Sequence, residues 1–479
     1  MSSSFRLPLV STLRGRGPVR PAAAALVCGL LATGVLTAAG PALADEAPAA
    51  GQGGATATVG ALKTYGEAVI HGEDGDQPVS AGLFEMSVEG GGMLQTYCVD
   101  LLTPTQKDAK YHETPWSSTS LGANKNAGKI RWILQNSYPQ VNDLAELARE
   151  AGIGGGLTEQ DAAAGTQVAI WRYSDGADVE ALDPQAERLA DHLEKNARSA
   201  AEPPASLTLE PPAVSGAPGA PLGPVTVRTN AESVTVTPPA DAATSGVRIV
   251  DAKGEPVTTA RDGGRLFFDV PADAPDGTAE LTVHASTTVP VGRAFASETR
   301  SQTQILAGSS ESTVTATASA TWAADGPVPA LSARENCAEG GVDLTGVNAG
   351  TEPFTFELLG VEHTLPAQST RTVTIPLLED QGYDFTITGP GGLERRFSGV
   401  LDCLTAQHTH TADGGESTQI LSEPRPATAG GTSDELNLAA TGSSGATGLI
   451  GGIAIGLVVI GGTALIILRE REKKTTPQD

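Results

Sequence analysis

The sequence predicts a multidomain protein: an α+β domain is followed by all-β, immunoglobulin-like sandwich modules, a disordered stalk and one transmembrane helix. Three observations lead to this prediction. The chain has 479 residues, which is too long for a single hydrophobic core. Short strand-like runs give way to helical periodicity before residue 200, and only strand-like runs recur from 224 to 404. An uncharged apolar run lies near the carboxyl end.

Residues 1–44 have the features of a secretory signal peptide. A leader that carries arginines and no acidic residue precedes an apolar run from about Ala22 to Ala39. Ala42-Leu43-Ala44 then supplies the small-x-small pattern that signal peptidase requires before Asp45. The alternative is a membrane-spanning helix, which the glycines in the run and the proline that follows it disfavour. We therefore expect the mature protein to be secreted.

Residues 58–200 are predicted to form the α+β domain. Its first half contains three strand-like runs, at Glu67–His71, Gly82–Glu89 and Leu94–Leu101. Its second half contains three helical segments, Ala127–Asn136, Thr158–Tyr173 and Pro184 to about Ala200. Thr158 and Asp161 have the spacing of a capping box at the start of the second helix.

The remainder of the chain divides by composition. Residues 201–222 are rich in proline, alanine and glycine, and this predicts a linker. Strand-like runs predict an immunoglobulin-like sandwich at 223–330 and a small β domain at 335–404. Residues 405–437 are rich in Thr, Ser, Gly and Pro, and they predict a flexible stalk that crosses the cell wall.

Residues 438–479 combine a short motif, an apolar span and a basic tail. The run 449–468 has no charged residue and is long enough for a helix across a bilayer, and arginines and lysines follow it at once. Leu438-Ala439-Ala440-Thr441-Gly442 stands before it. This arrangement resembles a sortase sorting signal of the LAxTG type, which class E sortases read. The resemblance implies cleavage between Thr441 and Gly442 and transfer of the protein from the plasma membrane to peptidoglycan. A plain single-span membrane protein is the alternative.

The charge balance limits the partners. The formal net charge is −25, and a protein that binds nucleic acid needs lysine and arginine to contact phosphates. We therefore expect no nucleic-acid partner. A strongly acidic chain with few aromatic residues is consistent with a soluble domain exposed at a cell surface.

The cysteines give the first chemical indication. Removal of the signal peptide leaves Cys98, Cys337 and Cys403. Cys337 and Cys403 bracket the strand-rich segment 335–404, and we expect them to form a disulfide. Cys98 is then an odd thiol in an oxidising compartment, where an exposed thiol would be oxidised.

Gln167 is out of place on its predicted helix. Its neighbours at helical spacing are Ala163, Ile170 and Trp171, and all three are apolar. A glutamine on a buried face must find hydrogen-bond partners or lose about 1–3 kcal/mol by desolvation. The residues alone leave two interpretations open: an inert buried thiol with a satisfied core amide, or a Cys98–Gln167 pair that reacts.

A family resemblance favours the reactive pair. Residues 58–200 resemble the thioester domains of Gram-positive surface proteins, which are also named for a TQxA motif. The resemblance depends on Tyr97-Cys98-Val99-Asp100, on Trp132-Ile133-Leu134 with Asn136-Ser137-Tyr138-Pro139, and on Thr166-Gln167-Val168-Ala169-Ile170-Trp171. It implies that the Cys98 sulfur attacks the Gln167 side-chain carbonyl and that ammonia leaves. Tyr97, Asp100, Thr166 and Trp171 are then candidates for the pocket around the thioester.

The resulting hypothesis is a cell-wall-anchored adhesin. Its thioester would acylate an amine, such as a lysine, on an unidentified surface protein or polymer. One alternative is a structural wall protein whose thioester is only an internal cross-link or is absent. A less favoured alternative is a secreted cysteine hydrolase with Cys98 as nucleophile and His112 as base. We expect no enzyme activity, no cofactor and no metal site.

Overall fold

The computed structural model describes residues 53–72 and 75–405. The predicted signal peptide, the sorting signal, its apolar span and the stalk beyond 405 lie outside these residues. Within the described ranges, no helix is both long enough and apolar enough to cross a membrane. All described residues belong to one unit, Ala49–Asp479.

The first part of the chain contains strands and most of the helices. Its strands are β1 (Gly53–Gly54), β2 (Thr56–Gly72), β3 (Gly75–Val88), β4 (Met93–Cys98), β5 (Lys110–Thr114) and β6 (Val179–Ala181). Its helices are α1 (Ser120–Ala123), α2 (Ala127–Gln135), α3 (Leu144–Glu150), α4 (Glu159–Ser174) and α5 (Pro184–Asn196), with a 3₁₀ turn at Trp116–Ser118. The three predicted helices and the predicted capping box of α4 are confirmed.

The rest of the described chain consists almost entirely of strands. These are β7 (Leu207–Glu210), β8 (Ala213–Gly216), β9 (Leu222–Thr229), β10 (Val234–Thr237), β11 (Arg248–Val250), β12 (Thr259–Ala260), β13 (Arg265–Asp269), β14 (Gly277–Thr288), β15 (Ala294–Ser297), β16 (Gln304–Ser309), β17 (Glu311–Trp322), β18 (Pro329–Asn336), β19 (Gly341–Asn348), β20 (Phe354–Leu358), β21 (Val361–Leu365), β22 (Ser369–Pro376), β23 (Gly382–Thr388) and β24 (Glu394–Val400). Helix α6 (Ala242–Ser245) and a 3₁₀ turn at Pro390–Gly392 interrupt them.

Six strands of the first sheet form a closed antiparallel ring. Their order is β2-β3-β4-β16-β15-β5, and β5 pairs again with β2, while β6 joins the outer half of β2. β15 and β16 come from far along the chain, yet β16 is the direct neighbour of β4. The predicted 58–200 domain is therefore incomplete as a unit, because two strands of its sheet lie within the predicted 223–330 sandwich.

The two faces of the ring pack against different partners. Side chains on one face, including Met86, Leu94 and Leu306, share a core with the β-sandwich. Side chains on the other face, including Leu83 and Ile305, pack against the helices. This division follows from the alternation of side chains along a strand, and it explains why no boundary in the sequence separates the two modules.

The sandwich consists of two sheets around that shared core. One sheet has the order β1-β17-β14-β10-β12, with β8 parallel to β17, and the other has the order β11-β13-β9-β7. The predicted linker 201–222 is wrong in part, because β7 and β8 lie within it. Three apolar residues of these strands are buried: Leu207, Leu209 and Val214. Their burial in the core keeps this segment folded although its overall composition resembles that of a linker.

A buried ion pair joins β5 to the start of β15 within the ring, and its carboxylate also reaches the start of β7 in the sandwich. Arg293 donates from Nε to Oε1 of Glu113 at 2.9 Å, and both side chains are almost fully buried. Glu113 also accepts from the backbone N–H groups of Ala55 and Ser206. Removal of either charged partner would leave the other buried and unpaired. Such a loss typically destabilises a fold by about 3–5 kcal/mol.

The last module is small and is stapled by a disulfide. β18, β19 and β22 form one sheet, and β20-β21 and β23-β24 form two hairpins. Cys337 and Cys403 are bonded, as predicted. On the chain-entropy model, closing a loop of this size stabilises the fold by roughly 4 kcal/mol. β18 begins before the predicted start of the domain at 335.

This last module contacts both the first part of the chain and the residue that precedes β16. The backbone N–H of Cys337 donates to the carbonyl of Ser117 at 3.2 Å, and the Thr303 hydroxyl donates to Asp402 at 3.1 Å. The predicted modules thus fold back onto one another near the end of β4.

We predict that residues 45–200 alone do not fold stably. Without β15 and β16, β4 and β5 each lose a partner strand and expose apolar side chains at open edges. A fragment 45–200 should show no cooperative thermal transition by circular dichroism, whereas a fragment 45–405 should unfold cooperatively. An equal melting temperature for the two fragments would contradict the role of the inserted strands.

Candidate functional site

Gln167 lies on a helix that is buried on nearly all sides. Helix α4 packs between the sheet and α5, and Gly165 allows this close approach, because a Cβ there would lie 2.4 Å from the carbonyl oxygen of Ala186. The Gln167 side chain is only 1% exposed. The sequence correctly identifies a polar residue on a buried face.

The backbone of Cys98 binds the side-chain amide of Gln167. The Cys98 N–H donates to Gln167 Oε1 at 2.9 Å, and Gln167 Nε2 donates to the Cys98 carbonyl oxygen at 2.8 Å. β3 pairs with β4 only as far as Thr96, so Cys98 has no strand partner on that side. The amide takes the place of the missing strand, and this satisfies both backbone groups and the buried glutamine.

The sulfur of Cys98 faces a separate polar layer. Gln304 lies directly opposite Cys98 in the β16–β4 pairing, and its Nε2 donates to Cys98 Sγ at 3.5 Å. The Thr105 hydroxyl lies 3.8 Å from the same sulfur. Cys98 is 4% exposed and, as predicted, takes no part in the disulfide.

The pocket candidates Tyr97 and Thr166 lie on the helix side of β4. The Tyr97 hydroxyl donates to the carbonyl of Tyr138 at 2.8 Å, and burial raises the pKa of that phenol. Thr166 donates to the Ala162 carbonyl and contacts the Ser137 hydroxyl. These contacts tie β4 and α4 to the same Ser137-Tyr138 segment, but none of them reaches Cys98 Sγ.

Asp100 lies in the turn that follows β4 and accepts hydrogen bonds from two other parts of the chain. It is fully buried, and its carboxylate accepts from the Ser120 hydroxyl at 2.9 Å and from the Thr303 backbone N–H at 3.0 Å. Thr303 directly precedes Gln304, so Asp100 holds the start of β16 beside Cys98. This is a positioning contact with the inserted strand, which is not part of the predicted 58–200 domain.

Trp171 follows Gln167 by one helical turn. It is buried, and its ring N–H has no hydrogen-bond partner within the described residues. Asp175, one turn further on, accepts from the Leu101 backbone N–H at 3.2 Å. Gln167 precedes Trp171 by one turn and Asp175 follows it by one turn. Both side chains therefore form hydrogen bonds with the backbone of residues 98–101.

The comparison with protein families identifies this segment. Residues 95–201 match the model of the thioester domain, and the match includes both Cys98 and Gln167. The chain contains a thioester domain. No curated protein matches the chain.

Solved structures that match the chain include three at 14–16% identity. The Bacillus anthracis TIE protein has 14% identity, with 74% of this chain and 81% of that chain covered and a TM-score of 0.26. The thioester domain of the Enterococcus faecium TIE86 protein has 16% identity, coverage of 56% and 96%, and a TM-score of 0.27. The E. coli chaperone DraB matches at 14% identity with a TM-score of 0.17. The assignment of the thioester domain depends on the match at residues 95–201.

Sequence reasoning missed Gln304, which lies outside the matched residues of the thioester domain. Its only signal was a glutamine that opens the apolar run Ile305-Leu306-Ala307. Nothing in the sequence indicates that this run pairs with β4. Gln167 lies 69 residues from Cys98 in the chain, and Gln304 lies 206 residues away, so no local pattern connects either glutamine to the cysteine.

His112 does not face Cys98. Its two ring nitrogens contact the Thr56 hydroxyl and the Glu298 carboxylate. The described residues include no group of His, Cys, Asp and Glu side chains that could hold a metal ion. Burial raises the pKa of the Cys98 thiol to about 12, while hydrogen bonds from Gln304 and Thr105 act in the opposite direction.

Three carboxyl groups lie near one another: Asp100 and Asp175 of the thioester domain, and Asp402. Burial raises the pKa of Asp175 to about 6. Burial also raises the pKa values of Asp100 and Asp402. The neighbouring charge of Asp175 raises the pKa of Asp100 further, and that of Asp100 raises the pKa of Asp402 further. Asp402 belongs to the disulfide-stapled module and reaches Asp100 through Thr303.

We predict that the protein loses stability as the pH rises from about 5 to 8. A carboxyl group whose folded-state pKa is raised contributes stability below its unfolded pKa, and that contribution is lost as the pH rises through the folded value. Each group should contribute on the order of 1–3 kcal/mol over this range. Urea unfolding at several pH values measures the effect.

The matched variants are Asp402→Asn and, at an exposed position, Asp325→Asn. Asp402→Asn should flatten the dependence of the unfolding free energy on pH between 5 and 8, and Asp325→Asn should leave it unchanged. A stability that is the same at pH 5 and pH 8 in the unsubstituted protein would contradict the prediction.

Proposed function

We propose that this chain is a cell-wall-anchored surface adhesin whose Cys98 and Gln167 form an internal thioester that acylates an amine on a target. The observation that carries the proposal is the pair of reciprocal hydrogen bonds between the Gln167 amide and the Cys98 backbone. They hold the acyl donor against the same residue that carries the nucleophilic sulfur.

These hydrogen bonds also suit the chemistry of thioester formation. When sulfur attacks the Gln167 side-chain carbon, negative charge develops on Oε1, to which the Cys98 N–H donates at 2.9 Å. The leaving nitrogen, Nε2, donates to the Cys98 carbonyl oxygen at 2.8 Å. The backbone of one residue thus stabilises the oxyanion and orients the group that departs as ammonia.

The proposed bond is kept from water. Cys98 and Gln167 are both nearly inaccessible to solvent, so hydrolysis requires water to enter a packed site. A thioester is an activated acyl group because thiolate leaves more readily than an amine anion. A lysine amine that reached the bond would form a stable amide with Gln167 and release the Cys98 thiol.

One observation favours a second candidate function. The same burial would also limit access of a target amine, and a thioester that no amine can reach is only an internal cross-link of a structural wall protein. This alternative predicts the same mass for the purified protein, but no reaction with a small amine.

The hydrolase alternative has less support. A cysteine hydrolase needs a base beside its nucleophile, but His112 is bound by Thr56 and Glu298. The raised pKa of the Cys98 thiol also keeps a free sulfur protonated at neutral pH. We therefore propose a single acyl transfer and no turnover.

The proposed location depends on segments outside the described residues. The signal peptide at 1–44 and the Leu438-Ala439-Ala440-Thr441-Gly442 motif support secretion, cleavage by a sortase of class E and linkage to peptidoglycan. The net charge of −25 supports a partner other than nucleic acid.

The thioester predicts a definite mass. The purified ectodomain should be lighter than its sequence by one ammonia, because the Cys98–Gln167 bond releases that molecule. Methylamine should add to Gln167 and expose a Cys98 thiol that reacts with maleimide. Intact-mass spectrometry and peptide sequencing measure both changes.

Two variants serve as controls for this experiment. Cys98→Ala and Gln167→Ala should each show the full sequence mass and no methylamine uptake, and only Gln167→Ala should retain the thiol. A wild-type protein of full mass that still has Gln at position 167 would refute the thioester. A protein that lacks ammonia but ignores methylamine would instead establish the internal cross-link. Glu at position 167 would indicate that a thioester formed and was hydrolysed.

The anchor is tested separately. Protein released from the wall should end at Thr441. Thr441→Ala should remain in the membrane fraction or the medium, because the sortase should no longer recognise and cleave the altered motif. Ala440→Ser, at the variable position of the motif, is the matched control and should stay linked to the wall. Wall linkage of Thr441→Ala would contradict the sortase assignment.

A further inference from the structure

The sulfur of Cys98 faces Gln304, which neither the TQxA-like motif nor the family match includes. Gln304 is opposite Cys98 in the β16–β4 pairing, so their side chains lie on the same face of the sheet. Gln304 is completely buried, and its Nε2 lies 3.5 Å from Cys98 Sγ.

The orientation of the Gln304 amide is fixed by a third residue. The Thr96 hydroxyl donates to Gln304 Oε1 at 2.9 Å, so Nε2 points toward the sulfur. The two hydrogens of Nε2 have two acceptors, Cys98 Sγ and Thr105 Oγ1, and the second of these lies at 3.3 Å.

Thr105 is left with one hydrogen to donate. Its oxygen accepts from Gln302 Nε2 at 2.7 Å and from Gln304 Nε2, and these two bonds occupy both lone pairs of the hydroxyl. Of the atoms that contact Thr105 Oγ1 in the described residues, only Cys98 Sγ remains as an acceptor for the hydroxyl hydrogen, at 3.8 Å.

We infer that Gln304 and Thr105 form a two-donor site for the Cys98 sulfur that stabilises the thiolate in the acyl-transfer reaction. Both side chains touch a reacting atom, so both are catalytic residues for the thioester chemistry, and Thr96 and Gln302 are positioning residues. This inference rests on the proposed function, and it assigns a role to a strand that lies about 100 residues beyond the matched thioester domain.

The reaction balances without any other component. An amine nitrogen bonds to the Gln167 side-chain carbon, the carbon–sulfur bond breaks, and its electron pair passes to Cys98 Sγ. The proton that the amine loses ends on the sulfur, which becomes a thiol. In the forming direction, the same two donors stabilise the thiolate that attacks the Gln167 side-chain carbon. The carbon–nitrogen bond breaks, and the proton that the thiol lost ends on the nitrogen, which leaves as ammonia.

Hydrogen-bond donors at this position offset the free-energy cost of a buried thiolate. The sulfur is buried and has Asp100 in its vicinity, and both burial and that carboxylate oppose a negative charge on sulfur. Hydrogen bonds to an ionised acceptor are stronger than those to a neutral one. The two donors therefore favour the thiolate more than the thioester, and this difference is what accelerates a reaction.

The test uses Gln304→Met, which keeps the length of the side chain but removes both N–H donors, and Thr105→Val, which removes only the hydroxyl. Gln140→Met is the matched control, because Gln140 Nε2 donates to the carbonyl of Ala307 on the same strand and not to Cys98. Two rates are measured in each folded variant: uptake of methylamine by the thioester, and alkylation of Cys98 by iodoacetamide at pH 9 in a Gln167→Ala background.

We expect Gln304→Met to slow both reactions at least tenfold, which corresponds to about one pKa unit at the thiol. Thr105→Val should slow both at least threefold, and Gln140→Met should remain within twofold of its parent. Rates within twofold for both Gln304→Met and Thr105→Val would overturn the inference. If Gln304→Met does not melt cooperatively, Thr105→Val decides alone.

The two proposals fail in different ways. A wild-type protein that never loses ammonia refutes the thioester, but the alkylation rates in the Gln167→Ala background still decide whether Gln304 and Thr105 stabilise the Cys98 thiolate. Loss of the thioester in folded Gln304→Met, with its retention in Gln140→Met, would support the two-donor site directly.

Discussion

The arrangement of the site depends on one unmet requirement of a β-strand. β4 continues to Cys98, but β3 pairs with it only as far as Thr96. The N–H and carbonyl groups of Cys98 are buried and must be satisfied. Gln167 satisfies both with one side chain. The same hydrogen bonds that complete the strand hold the Gln167 amide against the backbone of the residue that carries the thiol, so one contact serves both the fold and the proposed chemistry.

The sequence allowed one half of this site to be predicted. Gln167 is conspicuous because its helical neighbours are apolar, and Cys98 is conspicuous because the other two ectodomain cysteines pair. Both signals are local or depend on a simple count. The positions of α2, α4 and α5 were predictable for the same reason, since helical periodicity and capping depend on residues three and four apart.

The other half could not be predicted. Gln304 reaches Cys98 only because β16 enters the ring between β4 and β15, and the pairing of strands so far apart leaves no periodic signal. The predicted boundaries failed at the same point. Ala294 and Ile305 belong to the core of the helices, whereas Phe295 and Leu306, the next residue in each case, belong to the core of the sandwich. Because alternate residues of β15 and β16 pack into different cores, the composition of these strands does not assign them to either module.

Burial has opposite consequences for the two states of the sulfur. For a neutral thioester, a dry apolar site is protective, since water is the competing nucleophile. For the thiolate, the same site is unfavourable, and the raised pKa of the Cys98 thiol expresses that penalty. A polar layer on one side of the sulfur, supplied by Thr105 and Gln304, reduces the penalty without opening the site to solvent. Protection and reactivity can therefore coexist, because water is excluded by packing around Gln167 whereas charge on sulfur is stabilised by Gln304 of the inserted strand and by Thr105 from the segment after β4.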